Sequence, residues 1–282
     1  MGALKMDRLK MDRLKMGVLK MDGPNMDGLK MAFGTLTAIP VPAPTRIDRP
    51  VAGRAMALAP LTQLPLVCVL LLWGWVAHEA PVPPLVAAAA TLVAVTLATR
   101  GMHLDGLADT ADGLSASYDS AKALDVMRRG NIGPSGVAAV VLILLVDAAA
   151  LASLMTTGRG VVLACLSLLA SRHVLAWACS VGVPSARAVG LGATVAGTVQ
   201  RRVLGVSFVL MLGVSALAAQ LSGSTWLVGP VLLGSAVVSG IAVIKRATQR
   251  FGGITGDVLG AVIEVSFAGA LTASALLVTV TR

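Results

Sequence analysis

Seven apolar stretches, at about 55–77, 82–99, 132–156, 160–182, 203–221, 226–244 and 258–279, dominate the chain. Each is long enough, or nearly so, for the roughly 20 residues a helix needs to cross a bilayer. In hydrocarbon every backbone N–H and C=O must find its partner inside the segment, so such a run can only be a helix. The second stretch is the shortest and opens at Pro83-Pro84. Only 13% of the residues are charged and 56% are hydrophobic, whereas soluble domains carry about 25% charge. That balance excludes a water-soluble globular enzyme and a disordered chain. The expected fold is all-α: a polytopic membrane helix bundle of about seven transmembrane helices, one integral-membrane domain over residues 31–282.

The basic residues fix an expected orientation. Of the 23 Lys and Arg, ten precede the first stretch. Ten more fall in the alternate connections 100–131, 183–202 and 245–257, while the other side holds only Arg159 and Arg282. The positive-inside rule then predicts a cytoplasmic N-terminus and a C-terminus outside. A net charge of +9 would suggest nucleic acid in a soluble protein. Here the charges flank spans and aromatics are scarce, so no nucleic acid is expected, and the lipid bilayer is the partner. Cys68, Cys165 and Cys179 lie in apolar runs without metal-ligand spacing and read as packing residues.

Residues 1–30 differ from the rest. Met-Asp-Arg-Leu-Lys occurs at 6–10 and again at 11–15. A period of five cannot hold an apolar face on a helix of 3.6 residues per turn, and no apolar core of a secretory signal is present. The segment reads as a low-complexity basic leader without fixed structure, or as a basic arm on anionic lipid. The stretch 32–45 is apolar but broken by Pro40, Pro42 and Pro44, which predicts an interfacial or re-entrant piece.

The acids gather on the expected cytoplasmic side. Asp105, Asp109 and Asp112 stand at i, i+4 and i+7 in the connection 100–131. On a helix they share a face and repel one another. A hard divalent cation offsets that repulsion, and Mg²⁺ takes carboxylates together with substrate phosphates; a solvated acidic loop is the alternative. Arg128 and Arg129 precede the glycine-rich start of a span at 130–136. Guanidinium forks and the free N–H groups of a helix N-terminus suit a phosphate; membrane-flanking arginines are the plainer reading. Asp257 and Glu264 lie at i and i+7 near the end of the chain. An acid two turns inside a span defaults to a functional role. So do Arg172 and His173 in the fourth span, where Arg172 is a candidate partner for Glu264 or a ligand-facing cation. Asp147 carries no neighbouring motif.

HLDGLADTADG at 103–113, MRRGNIGPSG at 127–136 and GGITGDVLGAVIE at 252–264 resemble the cobalamin synthase family, adenosylcobinamide-GDP ribazoletransferase. LTAIPVP at 36–42, RAMALAPL at 54–61 and SARAVGLG at 185–192 resemble it too, and the likeness spans about residues 31–280. It implies a magnesium-dependent enzyme of the bacterial inner membrane, its active site facing the cytoplasm. Its substrates would be adenosylcobinamide-GDP and α-ribazole or α-ribazole 5′-phosphate, with GMP leaving. A homo-oligomer, or association with other enzymes of the pathway, stays open. Asp105, Asp109, Asp112 and Asp257 are the expected metal ligands, and His103, Asp105 or Asp109 the expected catalytic groups. Arg128, Arg129, Arg172, Arg187, Thr255 and Glu264 are the expected substrate-binding residues. A CDP-alcohol phosphotransferase begins its signature alike at Asp105-Gly106, but Ala108-Asp109 stands where that signature needs Ala-Arg. A transporter would favour internal repeats and mid-membrane charges, and the DGLAD segment has no repeat.

Overall fold

The computed structural model describes residues 26–80 and 82–280. In chain order its α-helices are α1 (Asp27–Leu36), α2 (Arg49–Ala57), α3 (Leu64–Glu79), α4 (Pro84–Ala98), α5 (Met102–Ala116), α6 (Ser120–Val126) and α7 (Pro134–Leu154). They continue with α8 (Gly158–Ala178), α9 (Leu191–Val195), α10 (Arg201–Leu221), α11 (Val228–Phe251) and α12 (Gly256–Val280). A 3-10 turn, Ala59–Gln63, leads into α3. Among the described residues six helices are long and apolar enough to cross a membrane: the 3-10 turn with α3, then α7, α8, α10, α11 and α12. The seventh expected span is the short one. Helix α4 has 15 residues, about 22 Å at 1.5 Å per residue, less than the roughly 30 Å hydrocarbon core.

Helix α8 is the hub. Of its apolar window 89% is buried, against 22% for α7 and 17% for α10. It is also the span that carries Ser167, Ser171, Arg172 and His173, all buried. Polar groups in lipid are costly, so the span bearing them belongs inside the bundle. Small residues let its neighbours close in. A Cβ on Gly74 of α3 would fall 2.5 Å from Val161, and one on Gly240 of α11 2.4 Å from Val174. Ser167 meets Ser274 of α12 at 3.2 Å. The outer spans present Leu72, Trp75, Leu142, Leu145, Val206 and Leu210 outward, the surface expected against acyl chains.

Two features differ from the sequence expectation. Helix α1 begins at Asp27, ahead of the Met31 boundary, and Asp27, Gly28 and Lys30 are buried in it. The leader reading therefore fails for residues 27–30, and the pentad repeat lies outside the described residues. The region 100–131 is not a loop: Arg100 (φ 57°) and Gly101 (φ 67°) turn the chain and set α5 at 88° to α4. Helix α5 thus runs across the bundle's end instead of through it, against α12 and α7.

Candidate active site

The site forms where α5 crosses the start of α12. Glycines make the crossing close: a Cβ on Gly106 would stand 2.6 Å from the Asp257 carbonyl oxygen, and one on Gly260 2.9 Å from that of His103. Asp105 and Asp109 of α5 are thereby brought beside Asp257 of α12. The turn before α12 is held by the connection after α8. The Ile254 N–H donates to Pro184 O and the Ala186 N–H to Ile254 O, both at 2.9 Å. This tie carries Arg187 into the acids, where Nη1 lies 3.5 Å from Asp257 Oδ2 and Nη2 donates to Leu124 O at 3.0 Å. Burial, then repulsion from Asp105, Asp257 and Asp112, pushes the Asp109 carboxyl up to about 6, with Arg187 pulling the other way.

A cavity of about 240 Å³ opens on this cluster. Thr35, His103, Asp105 and Asp257 supply its polar lining; Leu36, Met56 and Leu191 are among its apolar lining residues. These last three sit in the short motifs at 36–42, 54–61 and 185–192, and the sequence alone attached no role to them. Each is apolar, and only the folding of α1, α2 and α9 against the start of α12 reveals the wall they make.

The structure divides the other expected site residues. His103 is buried, its Nδ1 3.4 Å from Arg172 Nη2 and 3.8 Å from Glu264 Oε1. It stands between the two groups that the sequence suggested as a direct pair. Burial first, and Arg172 second, push its imidazole pKa down to about 3, so it is neutral. An arginine only donates, so Nδ1 is the acceptor and the proton sits on Nε2, which has no hydrogen-bond partner among the described residues. Arg172 is fully buried and donates to Ser171 Oγ at 2.8 Å. Neither Arg172 nor Glu264 lines the cavity; both stand behind His103. Thr255 is also buried. Its hydroxyl accepts from the Val258 N–H at 3.2 Å and donates to Asp257 Oδ2 at 3.2 Å, so it caps α12 and orients Asp257.

Asp112 has turned to a different task. Its Oδ2 accepts the Gly133 N–H at 2.6 Å and its Oδ1 the Gly136 N–H at 2.8 Å. The helix N-terminus that the sequence offered to a phosphate is thus occupied by the protein's own carboxylate, the anion a helix start favours. A Cβ on Gly136 would come 2.5 Å from Asp112 Oδ2, which is why the glycine-rich run is there. Arg129 is exposed and paired with Asp125 at 2.6 Å, a bond that holds the Asp125 carboxyl below its ordinary range. Arg128 is exposed as well, and neither arginine lines the cavity. Two residues were missed. Arg250 donates to Leu114 O at 3.1 Å and Ser117 O at 2.6 Å, tying off the end of α5. Asp147, which the sequence left without a role, is buried, and neither of its oxygens is hydrogen-bonded among the described residues.

Three carboxylates, of which only Asp257 is tied to a base, are the donor chemistry of a hard cation such as Mg²⁺. Among the described residues no three His, Cys, Asp or Glu side chains stand close enough to chelate an ion by themselves. Mg²⁺ is commonly held by one or two carboxylates and completed by water and substrate phosphate. The residues therefore fit an ion that is completed by a phosphate-bearing ligand.

The family described as cobalamin-5-phosphate synthase matches residues 28–275 of the chain. A protein of Nocardioides sp. named adenosylcobinamide-GDP ribazoletransferase is 41% identical over 244 residues, 86% of this chain and 96% of that protein. Proteins of the same name from Frankia casuarinae and Ectopseudomonas mendocina are 37% and 34% identical. Each covers 88% of this chain, by 94% and 98% of its own length respectively. No solved structure matches.

Proposed function

The chain belongs to the cobalamin-5-phosphate synthase family, and from that premise we propose that it is a membrane-embedded adenosylcobinamide-GDP ribazoletransferase. It joins adenosylcobinamide-GDP to α-ribazole, or to α-ribazole 5′-phosphate, in the final steps of cobalamin biosynthesis. A ribose hydroxyl oxygen bonds to the cobinamide-side phosphorus, the bond from that phosphorus to the bridging oxygen breaks, and GMP leaves. The site faces the cytoplasm of a bacterial inner membrane; the lysines and arginines, 20 against 2, support that orientation.

The observation that carries this reading is the cluster of Asp105, Asp109, Asp257 and Arg187, two of whose acids, Asp105 and Asp257, line a cavity with an apolar wall. Phosphoryl transfer asks a protein mainly to position the reactants and neutralise charge. Asp105, Asp109 and Asp257 are the residues that would hold Mg²⁺, which when bound neutralises the diphosphate. Arg187, held by Asp257 and the Leu124 carbonyl, sets a fixed cation beside the same oxygens. His103 offers an N–H to a phosphate oxygen, because its acceptor nitrogen is taken by Arg172. The hydroxyl's proton therefore goes to a carboxylate oxygen of the cluster that the ion does not engage. Arg172 and Glu264 act through His103, fixing its ring and tautomer.

The test is the nucleotide released. Membranes containing the protein, given a GDP-activated corrinoid and α-ribazole, are expected to liberate GMP and form the joined corrinoid. Release of CMP from a CDP-alcohol, with none of GMP from the corrinoid, contradicts the proposal.

A further inference from the structure

A second cavity, of about 370 Å³, adjoins the first, and Thr35 and Leu191 line both. Its walls are α1, the proline-rich segment 37–48 and α9, none of them a membrane span. Asp27 holds the segment in place: its carboxylate accepts the Thr45 N–H at 3.0 Å and the Thr45 hydroxyl. The lining is apolar, from Met31, Val41, Pro42, Pro44 and Ile47. Its few polar side chains all have partners within the protein. The Thr35 hydroxyl donates to Met31 O at 2.7 Å, the Thr194 hydroxyl to Gly190 O at 3.1 Å, and Lys30 Nζ lies 3.7 Å from Asp27 Oδ1.

An annex lined almost wholly by apolar side chains, its one charge ion-paired to Asp27, selects against an occupant with many polar edges, since burying those without partners is costly. On the function proposed above, the reactants bring three bulky groups to the site. Guanine carries donors and acceptors along most of its edge. The corrin macrocycle is fringed with amides and is far larger than the space. The third, the dimethylbenzimidazole base of α-ribazole, is a small uncharged bicycle with two methyl groups. We propose that this annex is the base subsite of the acceptor. The apolar base seats between α1, the proline-rich segment and α9, while the ribose passes Thr35 and Leu191 towards Asp105 and Asp257. The residues that read acceptor identity are then Gly34, Val41, Leu191 and Thr194, and Asp27 is a positioning residue that keeps the wall closed.

Gly34 gives a clean probe. A Cβ there meets only Val41 Cγ2, at 3.7 Å, so a larger side chain fits the helix and projects into the annex. Gly34→Leu fills it from α1, and Thr194→Trp fills it from α9. In membranes, KM for α-ribazole is expected to rise about tenfold or more in both filled variants, the size of effect that reshaping an apolar pocket brings. KM for adenosylcobinamide-GDP should stay within about twofold, and a riboside of the smaller base imidazole should lose less than α-ribazole does. If the corrinoid KM rises instead, or neither KM moves, the subsite is wrong while the proposed reaction stands. If wild-type protein releases no GMP from this pair of substrates, the reaction and the subsite fall together. Should one filled variant not insert, the other carries the test from the opposite wall.

Discussion

The two ends of α5 carry the same residue type to different uses. At its start, Asp105 and Asp109 face Asp257, another acid, with Arg187 as the nearby base. A turn further on, Asp112 is saturated by the backbone N–H groups that open α7. Spacing alone makes the three equivalent. What separates them is what lies opposite: a helix N-terminus consumes a carboxylate, whereas a second carboxylate leaves both in want of a cation. The comparison teaches that an acid's availability is decided by its partner's unsatisfied groups, not by its own position on a face.

The sharpest way to break that contrast is to remove one acid from each end. Asp109→Ala or Asp105→Ala is expected to lower GMP release by about a thousandfold or more, the scale of losing charge stabilisation at a reacting phosphate, with membrane insertion unchanged. Near-wild-type turnover in either variant would erase the distinction. Asp112→Ala is expected to act on stability, costing about 1–3 kcal/mol by stranding buried N–H groups. Thermal unfolding in detergent should show this, with turnover of the protein that stays folded within about tenfold. Gly136→Ala, which crowds Asp112, should lower the midpoint in the same direction.

Acidity sharpens the same comparison. If the cluster holds Mg²⁺ as proposed, proton and metal compete for Asp109, whose carboxyl is raised to about 6. Below that pH the protonated form prevails and the ion is lost; above it the carboxylate is free to bind. Apparent Mg²⁺ affinity, read from activation curves, should therefore be about tenfold weaker at pH 5 than at pH 7.5. The smallest effect belongs to Arg128. Exposed and remote from the cavity lining, Arg128→Ala should change KM for either substrate by less than about threefold; a larger change would bring the glycine-rich connection back into the site.

The spans were legible because hydrocarbon leaves a helix no alternative, and α4 was legible as the weak one from its length and its prolines. Asp105, Asp109, Asp257 and Arg187 were legible as chemistry. Asp112 was not separable from them, since Gly133 and Gly136 lie more than twenty residues on and only packing sets them beneath its carboxylate. Arg172 and Glu264 were visible as costly charges but not as a pair bridged by His103, because two spans and a crossing helix must assemble first. Leu36, Met56 and Leu191 were invisible for the opposite reason: apolar residues in an apolar chain announce nothing until a cavity exists for them to line.

The central claim is that the carboxylates at the α5–α12 crossing hold a divalent ion against the diphosphate. It is tested most directly by stripping detergent-solubilised protein with EDTA and following GMP release as Mg²⁺ is returned. Turnover is expected to vanish in chelator, to recover fully in wild type and to stay absent in Asp109→Asn at any Mg²⁺ concentration. Undiminished turnover under complete chelation would contradict it.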